Sequence, residues 1–196
     1  MRRLDPGDLS SAQVDALRSL AGFGSADAAR SLGQLVGGGV EMGAARAALY
    51  RREAAAEALP VDQEGVAVRF RAEGGARVRL MVQFTTEGAS LVASHLLADA
   101  SNGELYRSAL AEAANIVVSS YLSGVGSAVG MTLVPSVPSV NIGRMGEAAA
   151  LAFGDSDAAL LLITEFRLSG LGFAGIIIAA PEGDALESLL APVGAL

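Results

Sequence analysis

The sequence predicts an α+β fold with a pseudo-twofold internal duplication: one antiparallel sheet drawn from both halves, and two long paired helices on one of its faces. Three observations predict it. Two long stretches have helical spacing and align at an offset of 93 residues, which sets Asp15 on Ser108 and Leu17 on Leu110. Each half also carries two consecutive strand-like runs, "GVAVRFRAE" with "ARVRLMVQF" and "AALLLITEFRLS" with "GFAGIIIAA". A Glu-Gly pair follows each double run, at 87–88 and 182–183, 95 residues apart. Two separate landmarks with nearly one offset are the mark of a repeat. The chain, 1–196, is expected to be one domain, with the repeats over roughly 8–98 and 101–194.

Each element follows in order. Ser10 or Ser11 can cap a first long helix whose apolar spacing is carried by Val14, Leu17, Leu20, Ala21 and Ala28. Gly37, Gly38 and Gly39 end it. The Ala- and charge-rich segment 44–60 is open between helix, strand followed by helix, and a mobile connection. In the next strand Val66, Val68 and Phe70 face one way and Arg69 and Arg71 the other, with Glu73-Gly74-Gly75 as the turn into its partner. A short helix is expected over 87–99. The second half opens with a helix around Glu112. Extended chain follows, because Pro135 and Pro138 discourage helix. A short helix over "MGEAAALAFG", two apolar strands turning at Ser169-Gly170, and a closing helix over "EGDALESLLAPVG" complete the half.

Composition excludes several classes of function. Of 196 residues 52% are hydrophobic and only 5% aromatic, so a large core must be built from Ala, Val, Leu and Ile. A net charge of −7, with no basic run longer than the pairs Arg2-Arg3 and Arg51-Arg52, argues against nucleic acid, whose phosphates need clustered Lys and Arg. The absence of cysteine excludes disulfides and thiolate chemistry and suits a cytoplasmic protein. The N-terminus has no apolar signal core. Residues 113–143 carry no charge, yet Asn115, the serines and two prolines make this a one-sided wet helix and not a membrane span.

The usual catalytic sets are missing. His95 has no second ligand or nucleophile nearby in the sequence and reads as structural, so no metal site is expected. "GVGSAVG" misses the dinucleotide-binding spacing by one residue and follows a helix where that motif must follow a strand. Asp155 and Asp157 read as a solvated loop. What stands out is the helix over 108–120. Ser108, Glu112, Asn115 and Ser119 fall within roughly 60° of arc, with Leu110, Ala114, Val117 and Tyr121 opposite. The polar stripe holds one charge, whereas a solvated face usually holds several. An amide hardly ionises, but it accepts one hydrogen bond and donates another, which suits holding a water in a chosen orientation. A polar face packed or solvated without chemistry is the plainer alternative.

Ser108, three residues, Glu112, two residues, Asn115, and twenty-two residues to Pro138 together resemble the signature of the CheC/CheX/FliY phosphatase family. The surrounding "SALAEAANIVVSSYLSGVGSAV" resembles the second long helix of CheC-type members, and the likeness spans nearly the whole chain. The resemblance implies a phosphatase acting on the aspartyl phosphate of a CheY-type response regulator in chemotaxis. Under it Glu112 contacts the regulator's lysine, Asn115 places the attacking water, Ser108 opens the motif and Pro138 shapes the segment after it. It implies no cofactor bound by this chain, with Mg²⁺ carried by the partner regulator. CheD is a further expected partner, and a non-catalytic adaptor binding CheD or a receiver domain is the alternative. A flagellar switch component would be expected to carry an extra C-terminal domain that this chain lacks. Family members often carry the motif twice; here the first copy falls on Asp15, Ser19, Gly22 and Ala45, and lacks the Glu, Asn and Pro. It is expected to be inactive.

Overall fold

The computed structural model describes residues 6–54, 63–97 and 103–196. The first long helix, α1 (Ser11–Val36), starts on a capping box: the Ser10 hydroxyl accepts from the Gln13 amide and the Gln13 side chain accepts from the Ser10 amide. It ends at Gly37, whose φ of 61° is the left-handed cap a side chain would disfavour. Two short strands follow, β1 (Val40–Met42) and β2 (Arg46–Arg51), and then a 3-10 turn over Arg52–Ala54. Thus the open segment begins as strand; residues 55–60, its remainder, lie outside the described residues. Its Ala-rich sequence gives way to backbone pairing with a strand more than a hundred residues later.

The first hairpin is β3 (Glu64–Gly74) and β4 (Val78–Thr85). Glu73 and Gly74 are still strand, paired to Val134 and Leu133, so the turn starts at Gly75, later than the glycine pair suggests. Thr85 caps α2 (Thr86–Leu96) through the Gly88 amide. Positions 98–99, predicted to end that helix, lie outside the described residues. Then come α3 (Gly103–Val129), β5 (Leu133–Pro135), β6 (Ser139–Arg144), α4 (Met145–Ala150) with a 3-10 turn to Phe153, the hairpin β7 (Ala158–Leu168) and β8 (Gly172–Pro181), and α5 (Ala185–Leu190).

All eight strands join one antiparallel sheet in the order β1-β7-β8-β4-β3-β5, with β2 also on β7 and β6 also on β3. The hairpins meet at the centre through β4 and β8. The two edges are broken alike. Between Met42 and Arg46 the chain takes four steps while its partner takes three, Phe166 to Ile163. Between Pro135 and Ser139 it again takes four against three, Ala72 to Arg69. In each break one amide bonds back to the partner strand, Gly43 to Glu165 at 2.8 Å and Ser136 to Arg71 at 2.7 Å.

α1 and α3 run antiparallel on one sheet face; Ser31 meets Ser120 at 2.6 Å, while Gly24 lies against Tyr121. The core between them and the sheet is built from Leu17, Leu20, Leu110, Val117, Phe84 and Phe166, among others, with α2 and α5 adding Val92 and Leu189. Each such side chain contributes about 1.5–3 kcal/mol on burial. Ser25 on α1 reaches Thr164 of β7 inside this layer at 3.2 Å. The opposite face has a smaller cluster, where Ala148, Ala149 and Phe153 of the α4 segment cover Met81, Ile163, Ile176 and Ile178. The close approach of α3 to α1 is made at Gly124. Gly130, at φ 66°, ends α3, and the Met131 amide bonds the Gly126 carbonyl at 2.8 Å. No helix among the described residues is long and apolar enough to cross a membrane.

Candidate functional site

Alternation along α3 fixes what the solvent sees. Ala109, Leu110, Ala113, Ala114, Val117 and Val118 are buried, which leaves Ser108, Glu112 and Ser119 exposed and Asn115 half-buried on successive turns. Leu110, Ala114, Val117 and Tyr121 are on the buried side, as the periodicity predicts. The helix is clamped from beneath by the sheet and from the side by α1, so side chains on its outer face start from a rigid backbone. Among the described residues, the side chains of Ser108, Glu112 and Asn115 have no hydrogen-bond or ion-pair partner. Asn115 therefore keeps both its carbonyl and its amide hydrogens available to a third molecule, and Glu112 its carboxylate.

Pro138 lies elsewhere. It sits half-buried in the break between β5 and β6, both of which pair with β3. A residue without an N–H is tolerated at such an edge bulge. The neighbouring Ser136 closes the break from both ends, its amide donating to the Arg71 carbonyl and its hydroxyl accepting from the Arg71 amide at 3.0 Å.

On α1 the corresponding face is spent on itself. Asp15 pairs with Arg18 at 3.0 Å, the Ser19 hydroxyl donates to the Asp15 carbonyl at 2.9 Å, and Gly22 faces open space. Ala45 lies in the β1–β2 break, where Pro138 lies in the other. His95 is exposed, with Nδ1 2.9 Å from the Leu91 carbonyl oxygen of its own helix. No group of three His, Asp or Glu placed to hold a metal occurs among the described residues. Sequence reasoning passed over Leu105. It is 51% exposed and stands one turn before Ser108 on the same stripe; its signal is the spacing of seven to Glu112.

No family model matches the sequence, and no curated protein matches it. Solved structures do. FliY of Thermotoga maritima superposes with a TM-score of 0.74 at 16% identity, over 95% of this chain and 98% of that one. FliM of H. pylori, in a complex with SpeE, gives 0.66 at 14% identity over 95% and 96%. CheX of Borrelia burgdorferi, in a complex with CheY, BeF3 and Mg²⁺, gives 0.54 at 21% identity over 81% and 96%. The chain has the CheC/CheX/FliY fold. Fold alone is what such identities carry, and that fold is the α+β arrangement with an antiparallel sheet the sequence predicts.

Proposed function

We propose that this protein hydrolyses the aspartyl phosphate of a CheY-type receiver domain, with Glu112 and Asn115 as its catalytic residues. The observation that carries the proposal is the unpartnered Glu112–Asn115 pair, one turn apart on the outer face of a helix whose other side is buried. That a protein of the same fold, CheX, forms a complex with CheY loaded with BeF3 and Mg²⁺ supports it.

An aspartyl phosphate is already reactive, and a receiver domain brings its own Mg²⁺ and lysine. What it lacks is a water held in line. Catalysis of phosphoryl transfer is largely positioning and electrostatics. Asn115 supplies the positioning: its carbonyl accepts from the water and its amide donates to the phosphoryl oxygens. Glu112 pairs with the receiver's lysine and fixes the docking angle. The rigid α3 backbone carries both groups into the partner's site without the loop ordering that would weaken binding. Ser108 and Leu105 extend the contact along the same stripe. Pro138 shapes the strand break and acts at a distance from the water.

The experiment is the decay of a phosphorylated CheY-type receiver with and without this protein. Faster decay, lost in Asn115→Ala, is the expected outcome. Binding of the receiver with unchanged decay would replace this proposal with an adaptor role, the reading that FliM's complex with SpeE on the same fold supports. CheD belongs to that adaptor reading as a second candidate partner.

A further inference from the structure

On the sheet face away from the long helices, the register of the first hairpin assembles positive charge. Arg71 and Arg79 are direct cross-strand partners on β3 and β4, and Arg69 stands two residues from Arg71 on the same face. Like charges directly opposite one another disfavour the pairing unless something neutralises them. Arg52, from the turn after β2, joins them across the sheet, held by the carbonyls of Gly154 and Ser156. The four arginines line a cavity of about 440 Å³.

Among the described residues, little answers this charge. Arg69 bonds Asn141 Oδ1 and Ser139 Oγ at 3.2 Å, and Arg52 bonds backbone carbonyls; both sets of acceptors are neutral. Arg79 pairs with Glu182, yet its Nε is buried without a partner. The Arg71 guanidinium has no partner among the described residues. Asp155 is, among the described residues, the one acid lining the cavity. Among the described residues, four guanidinium groups against Asp155 and Glu182 leave a local excess of positive charge, in a chain of net charge −7. Beside the arginines, Leu151 and the 88%-exposed Val137 give the cavity an apolar wall.

We infer that this cavity is a binding site for a polyphosphate anion of nucleoside-diphosphate size, its phosphates on Arg71, Arg79 and Arg69 and its organic part on Leu151 and Val137. Guanidinium groups match phosphate oxygens in a two-pronged geometry that lysine cannot reproduce. The volume lies in the range of small-molecule sites and exceeds what pyrophosphate alone would fill. The site lies on the face of the sheet opposite α1 and α3, so its occupancy is separable from turnover at Asn115.

Calorimetric titration at constant ionic strength tests this with inorganic pyrophosphate, ADP, GDP and adenosine on the full chain. Pyrophosphate and at least one nucleotide are expected to saturate with Kd below about 1 mM, and adenosine not to bind. Tighter binding of the nucleotide than of pyrophosphate assigns the apolar wall to a base; equal binding assigns the site to inorganic polyphosphate. Arg71→Gln should weaken both by tenfold or more. Arg18→Gln, which removes the same charge from α1, should change neither. Arg69→Gln serves as the second variant, and circular dichroism of each checks the fold. No saturation by any phosphate, or equal losses in Arg71→Gln and Arg18→Gln, would overturn the inference.

Discussion

Gly124 of α3 packs on Gly24 of α1: a Cβ at Gly124 would lie 3.1 Å from the Cα of Gly24 and 2.7 Å from the carbonyl oxygen of Phe23. Those atoms are backbone and cannot step aside. Gly124→Ala should therefore push the helices apart and cost about 1–3 kcal/mol, read as a lower urea midpoint. Gly22, two residues from the crossing, is the contrast, because a Cβ there meets nothing within 4 Å. Gly22→Ala should raise stability by about 0.5–1 kcal/mol through helix propensity alone. Equal melting of Gly124→Ala and wild type would mean that the crossing is looser than its geometry.

Much of this arrangement is legible in the sequence because it is local. The capping box at Ser10, the glycine stop at Gly37 and the buried stripe of Leu110, Ala114 and Val117 each need only a few neighbouring residues. The face bearing Glu112 and Asn115 is legible for the same reason. Strand β2 is not, because Ala47 and Leu49 become strand only by pairing with Leu162 and Leu160. The arginine cavity is hidden too. Arg69 and Arg71 read as the solvent side of an alternating strand, and only the register Arg71–Arg79 with the return of Arg52 brings four charges together. Gly124 and Gly126 look equivalent in the sequence, and the crossing of α1 separates them.

The proposed chemistry divides between two residues, so their substitutions should separate kinetically. Asn115→Ala removes the group that orients the water, and decay of the phosphorylated receiver should slow ten- to a hundredfold, about 1.4–3 kcal/mol of barrier. Glu112→Ala removes a charge that meets a lysine on the partner, so it should chiefly weaken receiver binding. Raising the salt should weaken wild-type binding more than that of Glu112→Ala. Wild-type decay rates in Asn115→Ala would remove the amide from the mechanism.

Tyr121 ties stability to alkaline pH. Burial in the helix–sheet layer pushes its hydroxyl above the ordinary tyrosine value near 10. Below pH 10 the hydroxyl is protonated in both folded and unfolded chains and contributes no pH dependence. Above it the unfolded chain loses the proton while the folded chain keeps it, so unfolding is favoured and stability falls as pH rises. Urea melts from pH 8 to 11 should show this loss, and Tyr121→Phe should flatten it. An unchanged alkaline slope in Tyr121→Phe would assign the loss to other groups.

The face of α1 should take no part in turnover. Asp15 is where Ser108 stands on α3, at the edge of the motif, and it is already paired with Arg18. Ser19 turns its hydroxyl back to the Asp15 carbonyl and is too short and uncharged to reach a lysine. Gly22 has no side chain with which to hold a water. The exposed pair Asp15–Arg18 contributes at most a few tenths of a kcal/mol, so Asp15→Ala should fold and melt like wild type. It should also leave phosphoryl hydrolysis unchanged, with one receiver bound per chain in a titration with a BeF3-loaded regulator. Phe23, 57% exposed beside Gly22, gives this face an apolar contact without a catalytic group. Two equivalent receivers per chain, or activity lost in Asp15→Ala alone, would mean that α1 carries a second working site built from groups other than a carboxylate and an amide one turn apart.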